Sequence, residues 1–314
     1  MKQKNELDDN NSGKKQSLQF TPYDVGNLTF KTMAISFCVS LVTQPFQIAL
    51  TRLQQSKAES GLNKGTLGLY RGFLTYAIAG QKRGAVAVTA KQTSREPAEE
   101  EVKGTTSQRW LGTFLFSQLD IGLSSALTNK AKLQGGGIID KTNFRWSFEN
   151  AWKLTKINWG SRSIAGFINF AAIGFMGDYI SSFYKLNNEF CKNLLGGATS
   201  GVVATLLTTI PNSYSDRKVL ASKVVDGRLL TVTPFTMFNN AKLHVKSVGF
   251  KEATMSFLKV NLLKEVLVRS PQAAITFGLI FSLDHLMGPK PLDRVWPGRS
   301  ANEPEEPSHK RPDL

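Results

Sequence analysis

Five basic residues interrupt segments of this chain that are otherwise apolar. Lys82 and Arg83 fall within 73–90, Arg162 precedes 163–180, and Lys264 and Arg269 fall within about 260–283. A cation in a low-dielectric interior is costly unless it is paired, so such positions point to a ligand, a counter-ion or a wet cavity. Several of them converging would hold a phosphate or carboxylate through charge-assisted hydrogen bonds. The competing reading is that bases near a membrane edge lay their stems along apolar surface and keep the charge in water. It applies above all to Lys82 and Arg162. Arg269 lies deeper in its run, beside Pro271. The sequence offers little other chemistry. Cys38 and Cys191 lie far apart, and His244, His285 and His309 are scattered. There is no nucleophile–base set, phosphate loop or metal-ligand cluster, so no enzyme activity, metal or cofactor is expected.

The elements that must position these cations alternate in strength. Residues 32–51 and 193–215 are free of charge and long enough to span a bilayer, and 110–129 is broken only by Asp120. The weaker segments 73–90, 163–180 and 260–283 lie between them and carry the charges. Six helices with charges in every second one imply a bundle around a water-accessible cavity. The loops 52–71, 130–160 and 217–259 together carry a net charge of +13, and the alternate loops 91–109 and 178–192 come out neutral. The positive-inside rule then puts both termini on the side opposite the basic loops. The alternative, six buried helices of a soluble protein, gives so one-sided a charge no packing role. The whole chain is 314 residues long, 20% charged, with a net charge of +15. That is too polar for helices that all face lipid and suits helices with one wet face. Basic charge can also serve nucleic acid, but there is no zinc-finger spacing, RNP motif or helix-turn-helix signature, so no nucleic-acid partner is expected. The N-terminus is polar and mixed in charge, with neither the apolar core of a secretory signal nor the Arg-rich, acid-poor character of a transit peptide. Six prolines from about Met287 onward make the C-terminal segment read as disordered.

The ends of the three strong segments recur: PFQIALTRLQ at 45–54, SALTNKAKLQ at 125–134 and PNSYSDRKVL at 211–220. Arg52 with Gln54 matches Lys132 with Gln134, and Lys218 falls in register with Arg52. Such internal repetition is the first thing that fixes an architecture. The runs resemble the signature of the mitochondrial carrier family, Pro-x-acidic-x-x-basic-x-basic. The match continues through GTLGLYRGF at 65–73, SFENAWKLT at 147–155 and GFKEATMSF at 249–257. It continues again in SPQAAITF at 270–277, FAAIGF at 170–175 and the small-residue run LLGGATSGVVATLLTTIP at 194–211. The resemblance implies an all-α membrane protein of six transmembrane helices in three pseudo-symmetric two-helix repeats around a central cavity. The repeats fall at 28–108, 109–190 and 191–286, flanked by a polar tail at 1–27 and the disordered tail at 287–314. Short surface helices are expected after Gly65, near Ser147 and after Gly249.

The resemblance also assigns roles. Pro45 and Pro211 would kink odd helices inward, and Ser125 at the equivalent place can relax its helix by bonding back to the preceding turn. In the family an acid after the proline pairs with a base on the next helix to close one end. Here the acidic positions hold Gln47, Leu127 and Ser213, and the basic ones Leu50, Lys130 and Asp216. Gln47 can reach Lys130 with one hydrogen bond, and Asp216 reverses the expected sign. The closed gate is therefore weak or held by other contacts. Aligning the Ala-Ile motifs makes Arg162 and Lys264 equivalent. Arg269-Ser-Pro271 replaces the family's Arg-x-x-Pro and turns that arginine by about 100°. Tyr70, Arg71 and Gly72 match a cardiolipin-binding step at a helix start, with Trp152 and Lys153 as its second copy.

The family implication is a monomeric carrier of the mitochondrial inner membrane that exchanges an anionic metabolite by alternating access, nucleotides first. Asp216, Arg217, Lys218, Val219, Leu220 and Ala221 stand where nucleotide carriers have Arg-Arg-Arg-Met-Met-Met. Divergent members delivered into host mitochondria by intracellular bacteria look similar, and the acidic, proline-rich end resembles a bacterial secretion signal. The alternative is a carrier-like receptor, insertion or scaffold protein that no longer transports.

Overall fold

The computed structural model describes residues 22–55, 66–95, 106–140, 142–288 and 290–295. Six long helical rods dominate: α1 (Pro22–Gln54), α2 (Phe73–Arg95), α3 (Thr106–Gly135), α5 (Trp159–Ser182), α6 (Glu189–Leu220) and α8 (Phe250–Met287). Short elements lie between them: a 3₁₀ turn (Thr66–Tyr70), α4 (Phe148–Lys156), a hairpin of β1 (Lys223–Val225) and β2 (Arg228–Leu230), α7 (Pro234–Val248) and a last turn, α9 (Leu292–Val295). The rods pack as a closed ring in chain order, α1 on α2, α2 on α3, α3 on α5, α5 on α6, α6 on α8, and α8 back on α1.

Four rods, α1, α5, α6 and α8, are long and apolar enough to cross a membrane. The other two long rods, α2 and α3, lie outside that set. In α2 the run Gln81-Lys82-Arg83 interrupts the apolar stretch, and in α3 the pair Gln118 and Asp120 does the same.

Small residues set the tightest seam. A methyl group on Gly201 would fall 2.7 Å from the Ala273 carbonyl oxygen, and one on Gly197 2.7 Å from that of Phe277. The small-residue run therefore lets α6 and α8 touch backbone to backbone, as close helix packing in lipid requires. Pro45 removes the amide that would have served the Leu41 carbonyl, and the Tyr70 hydroxyl donates to that carbonyl at 3.4 Å.

Several local features differ from the sequence reading. The third surface helix, α7, precedes Gly249 rather than following it. Thr233 caps its start by accepting the Thr236 amide at 3.2 Å, Pro234 takes its first position, and Gly249 ends it at φ +93°. The Ser125 hydroxyl is buried without a partner and does not bond back to the preceding turn. The start of the C-terminal tail is structured. Leu292 donates its amide to the Asn27 side chain at 2.8 Å, and Tyr23 donates to Asp293, which docks α9 on the start of α1. Residues 296–314 lie outside the described residues, as do 1–21. Lys31 pairs with Asp284 at 2.7 Å and donates to the Gly288 carbonyl at 2.8 Å, so the beginning of α1 and the end of α8 sit together.

At the opposite end, the hairpin and α4 form a plug. Leu133, Ile139, Leu154, Val219 and Leu229 are buried against one another there. Asp226 and Gly227 both take positive φ, the backbone of a tight hairpin turn. Asn150 clamps the hairpin, donating to the Gly227 carbonyl at 2.9 Å and accepting the Leu229 amide at 2.9 Å.

Candidate functional site

The ring encloses a cavity of about 240 Å³ to which all six long rods contribute. On the even-numbered members of the ring, α2, α5 and α8, the lining positions follow one helical stripe. On α5 the stripe is Arg162, Ala165, Gly166, Asn169, Phe170 and Ile173; on α8 it is Arg269, Gln272, Ala273, Thr276, Phe277 and Ile280. The two stripes pair position by position and place Arg162 and Arg269 in equivalent places. On α2, Tyr76, Ala79, Gly80, Gly84 and Ala87 repeat the spacing, with Tyr76 where the arginines stand. The sequence carries this register as Arg-Ser-x-x-x-x-Ile-x-Phe at 162–170 and 269–277, and as Ile-Ala-Gly at 78–80 and 164–166. Anchoring on the Ala-Ile motifs instead set α8 five residues out of step.

That slip decides where two expected residues go. Lys264 is exposed and off the cavity stripe, and so is Lys82. Each sits on a helix position turned away from the lining stripe. Arg269 does line the cavity, despite the Arg-Ser-Pro spacing, and so does Arg162. The side chain of Arg83 lies outside the described residues. Asp120 adds an acid to the cavity wall, where it accepts the Ser124 hydroxyl at 2.9 Å.

The floor of the cavity is closed by ion pairs, and their pattern is not the one the motif suggested. Asp216 on α6 pairs with Lys132 on α3 and accepts Arg269 Nη2 on α8 at 2.5 Å. Glu265, only 1% exposed, lies one helical turn before Arg269. Its carboxylate accepts Arg217 Nη2 at 2.9 Å, the Ser213 hydroxyl at 3.0 Å, Gln54 Nε2 at 3.0 Å and Arg269 Nη2 at 3.4 Å. Gln54 Nε2 also lies 3.3 Å from Asp216 Oδ2 and joins the two carboxylates. Four rods, α1, α3, α6 and α8, thus meet in one network. Asp216, whose sign departs from the family pattern, meets donors from the other three rods, so the closed end is held by contacts other than the motif's own pairs. In the sequence Glu265 read only as one of the charges of the sixth apolar segment, not as a site residue. Its one available signal was an acid four residues before Arg269, on the same helix face.

Other motif residues sit around this network. Gln47 lines the cavity but does not meet Lys130, whose ammonium lies 4.4 Å from the Trp146 ring centre on the outer side. Arg52 reaches down to the Gly68 carbonyl at 3.4 Å. Gln134 is half-buried with its side-chain carbonyl unpartnered, and Lys218 is half-buried on α6. Pro45 and Pro211 both lie inside continuous helices.

The expected lipid step has an exposed Tyr70 ring packed edge-on to Phe73 at 5.9 Å. Arg71 offers its carbonyl to Gln44 Nε2 at 3.1 Å, and Gly72 turns the chain into α2 at φ +77°. On α4, Trp152 is exposed and Lys153 pairs with Glu149 at 2.7 Å. The Lys153 hydrogen bond holds the Glu149 carboxyl below the usual carboxylate range.

A ring of long helices around a polar cavity, with its floor shut by buried ion pairs, is the architecture of an all-α membrane carrier. Residues 23–297 match the family model described as Mitochondrial SLC25 homolog, and the chain belongs to that family. It is also 57% identical over 313 residues to "Serine protease Lpg1137" of Legionella pneumophila, covering 98% of this chain and 96% of that protein. A divergent carrier-like chain with a bacterial relative agrees with the sequence reading.

Proposed function

We propose that this protein exchanges a small anionic metabolite across a membrane by alternating access, in six spans built as three repeats at 28–108, 109–190 and 191–286. The observation that carries the reading is the pair Arg162 and Arg269, at equivalent places of two stripes that face one cavity. Rods of 23 to 38 residues support six crossings, since each is about 34 Å or longer and exceeds a hydrocarbon core of about 30 Å. We place it as a monomer in the mitochondrial inner membrane, of a host cell for a bacterial protein, a reading that family membership supports. Tyr70, Arg71, Gly72 and the α4 pair Trp152 and Lys153 are the candidate contacts for cardiolipin or another anionic lipid.

The solute class is narrower than the first expectation of a nucleotide. A cavity of about 240 Å³ lies below the usual range of drug-sized sites, and its wall carries Asp120 and Asp216 beside Lys132, Arg162 and Arg269. That balance favours a phosphate or a short carboxylate over a polyphosphate. Purified protein in liposomes tests the reading through exchange of phosphate, dicarboxylates and ATP. Loss of all exchange in Arg162→Ala and Arg269→Ala supports it; no exchange by the wild type refutes it and leaves a receptor or scaffold role.

A second reading rests on the name of the Legionella relative. Serine proteolysis needs a hydroxyl activated by a neighbouring base. Among the described residues, His285 faces Glu189 at 3.5 Å and His244 is exposed on α7. Neither imidazole is hydrogen-bonded to a serine hydroxyl there. Labelling of the full chain by a fluorophosphonate probe decides it, because a labelled serine would establish an activated nucleophile.

A further inference from the structure

We propose that the segment after α8 is a strap that clasps α8 to α1 permanently. The two rods stay locked together, at the end where α1 begins and α8 finishes, while the cavity opens and closes there. The inference rests on the transport reading above and adds which seam of the ring does not move.

Five seams of the ring join rods that follow one another along the chain, so a connecting segment ties each pair. The sixth, α8 on α1, brings together the first rod and the last and has no such segment. It gapes unless side chains close it. Contacts concentrate at this place. Lys31 on α1 and Asp284 on α8 are both buried and pair at 2.7 Å, and Lys31 also donates to the Gly288 carbonyl at 2.8 Å. Gly288 turns the chain back over α1 at φ +68°. Buried Asn27 accepts the Leu292 amide at 2.8 Å, while its side-chain nitrogen donates to the Tyr23 carbonyl at 3.2 Å, which holds its oxygen toward α9. The Tyr23 hydroxyl donates to Asp293. Leu292 lies 3.5 Å from where a Cβ on Gly26 would stand.

Two features make this clasp fixed rather than releasable. A buried ion pair that parts leaves uncompensated charge in a low dielectric. Neither Lys31 nor Asp284 lines the cavity, so no solute there takes the place of either partner. The contacts also run along α1 from Tyr23 to Lys31, about 12 Å of helix, so the clasp resists twisting as well as parting. α1 and α8 therefore turn as one body, and movement at this end falls to the other seams.

The test ties the seam covalently in the full chain. Gly26→Cys and Leu292→Cys are joined by a short, cleavable thiol cross-linker, with Cys38→Ser and Cys191→Ser removing the exposed native thiols. Exchange of phosphate and succinate in liposomes should stay within about twofold of the unlinked protein, as expected when a rigid body is merely stapled. A linked protein that stops exchanging, and recovers when the linker is cleaved, overturns the proposal and leaves the transport reading standing. Amide exchange reads the same seam in wild type, without substitutions. Amides at 27–31 and 281–288 should open as slowly as those beside buried Leu133 and Val219, with or without phosphate or succinate. Asp284→Ala should speed them about 100-fold or more. Fast opening of these amides in wild type, opening speeded by either anion, or no change in Asp284→Ala overturns the clasp. If wild type moves no anion, the transport reading fails on its own, and the amides alone then decide whether the seam is fixed.

Discussion

Glu265→Ala is the sharpest probe of how the bundle is closed. The wild-type carboxylate is 1% exposed and accepts from Arg217, Ser213, Gln54 and Arg269, which lie on α1, α6 and α8. Truncation leaves Arg217 and Ser213 without that acceptor, while Arg269 and Gln54 keep only Asp216. Arg217 is 31% exposed on its side chain, so water offsets part of its loss; Arg269 is 12% exposed and Gln54 is buried. Breaking a buried pair of this kind costs about 3–5 kcal/mol. For a chain of 314 residues that corresponds to a melting-point drop of roughly 5–8 °C. Glu265→Gln keeps the shape and one acceptor oxygen, and should lose about 1–3 kcal/mol. The assay is thermal unfolding of purified protein in detergent, with Lys264→Ala as the exposed neighbour. A Glu265→Ala variant melting within about 2 °C of wild type would refute the network as the element that joins these helices.

Three further outcomes follow from the same geometry. In an exchange assay Arg162→Ala should lose most activity while Lys264→Ala keeps it; the reverse order would mean that the stripe register on α5 and α8 is wrong. Gly201→Leu, driven into the Ala273 carbonyl, should destabilise the α6–α8 seam by about 1–3 kcal/mol in thermal unfolding. Asp140 is held below the usual carboxylate range by the Thr142 hydroxyl and by the amides of Asn143 and Thr142. A depressed value means that this turn gains its stability above the ordinary aspartate range and loses it as pH falls through the lower folded value. Proteolysis at this turn should therefore be unchanged from pH 5 upward and rise only in strong acid, as a pH series of limited digests would record.

The sequence made the architecture legible where chemistry repeats locally. The charge-free run at 32–51, Pro45 and Pro211 inside long helices, and the small-residue run before Pro211 all produce features visible in the structure. The short helix expected near Ser147 is α4, and the structure adds that the Ser147 hydroxyl caps it by accepting the Asn150 amide at 3.2 Å. The site was harder because its contacts join distant parts of the chain. Asp216 looked like a lost gate residue while only its own motif was in view. Its partners, Lys132 on α3 and Arg269 on α8, lie far from it along the chain and depend on how the rods are turned. A five-residue slip between the α5 and α8 motifs was enough to select Lys264, which is exposed, and to overlook Glu265 beside it. One residue along a helix turns a side chain by about 100°, so register errors of this size exchange cavity for surface. The early end of the C-terminal tail was misread because proline density signals missing core contacts, yet here Asn27 and Tyr23 on α1 supply the anchoring bonds to Leu292 and Asp293.

The central claim is that Arg162 and Arg269 form one anion site in a transport cavity. Anion-for-anion exchange by purified protein in liposomes, wild type against the Arg162→Ala, Arg269→Ala double variant, tests it most directly. The account predicts saturable exchange of a phosphate or short carboxylate by wild type, and none by a double variant that remains folded and inserted. Wild-type protein that moves no anion, or a double variant that exchanges as fast as wild type, would contradict it.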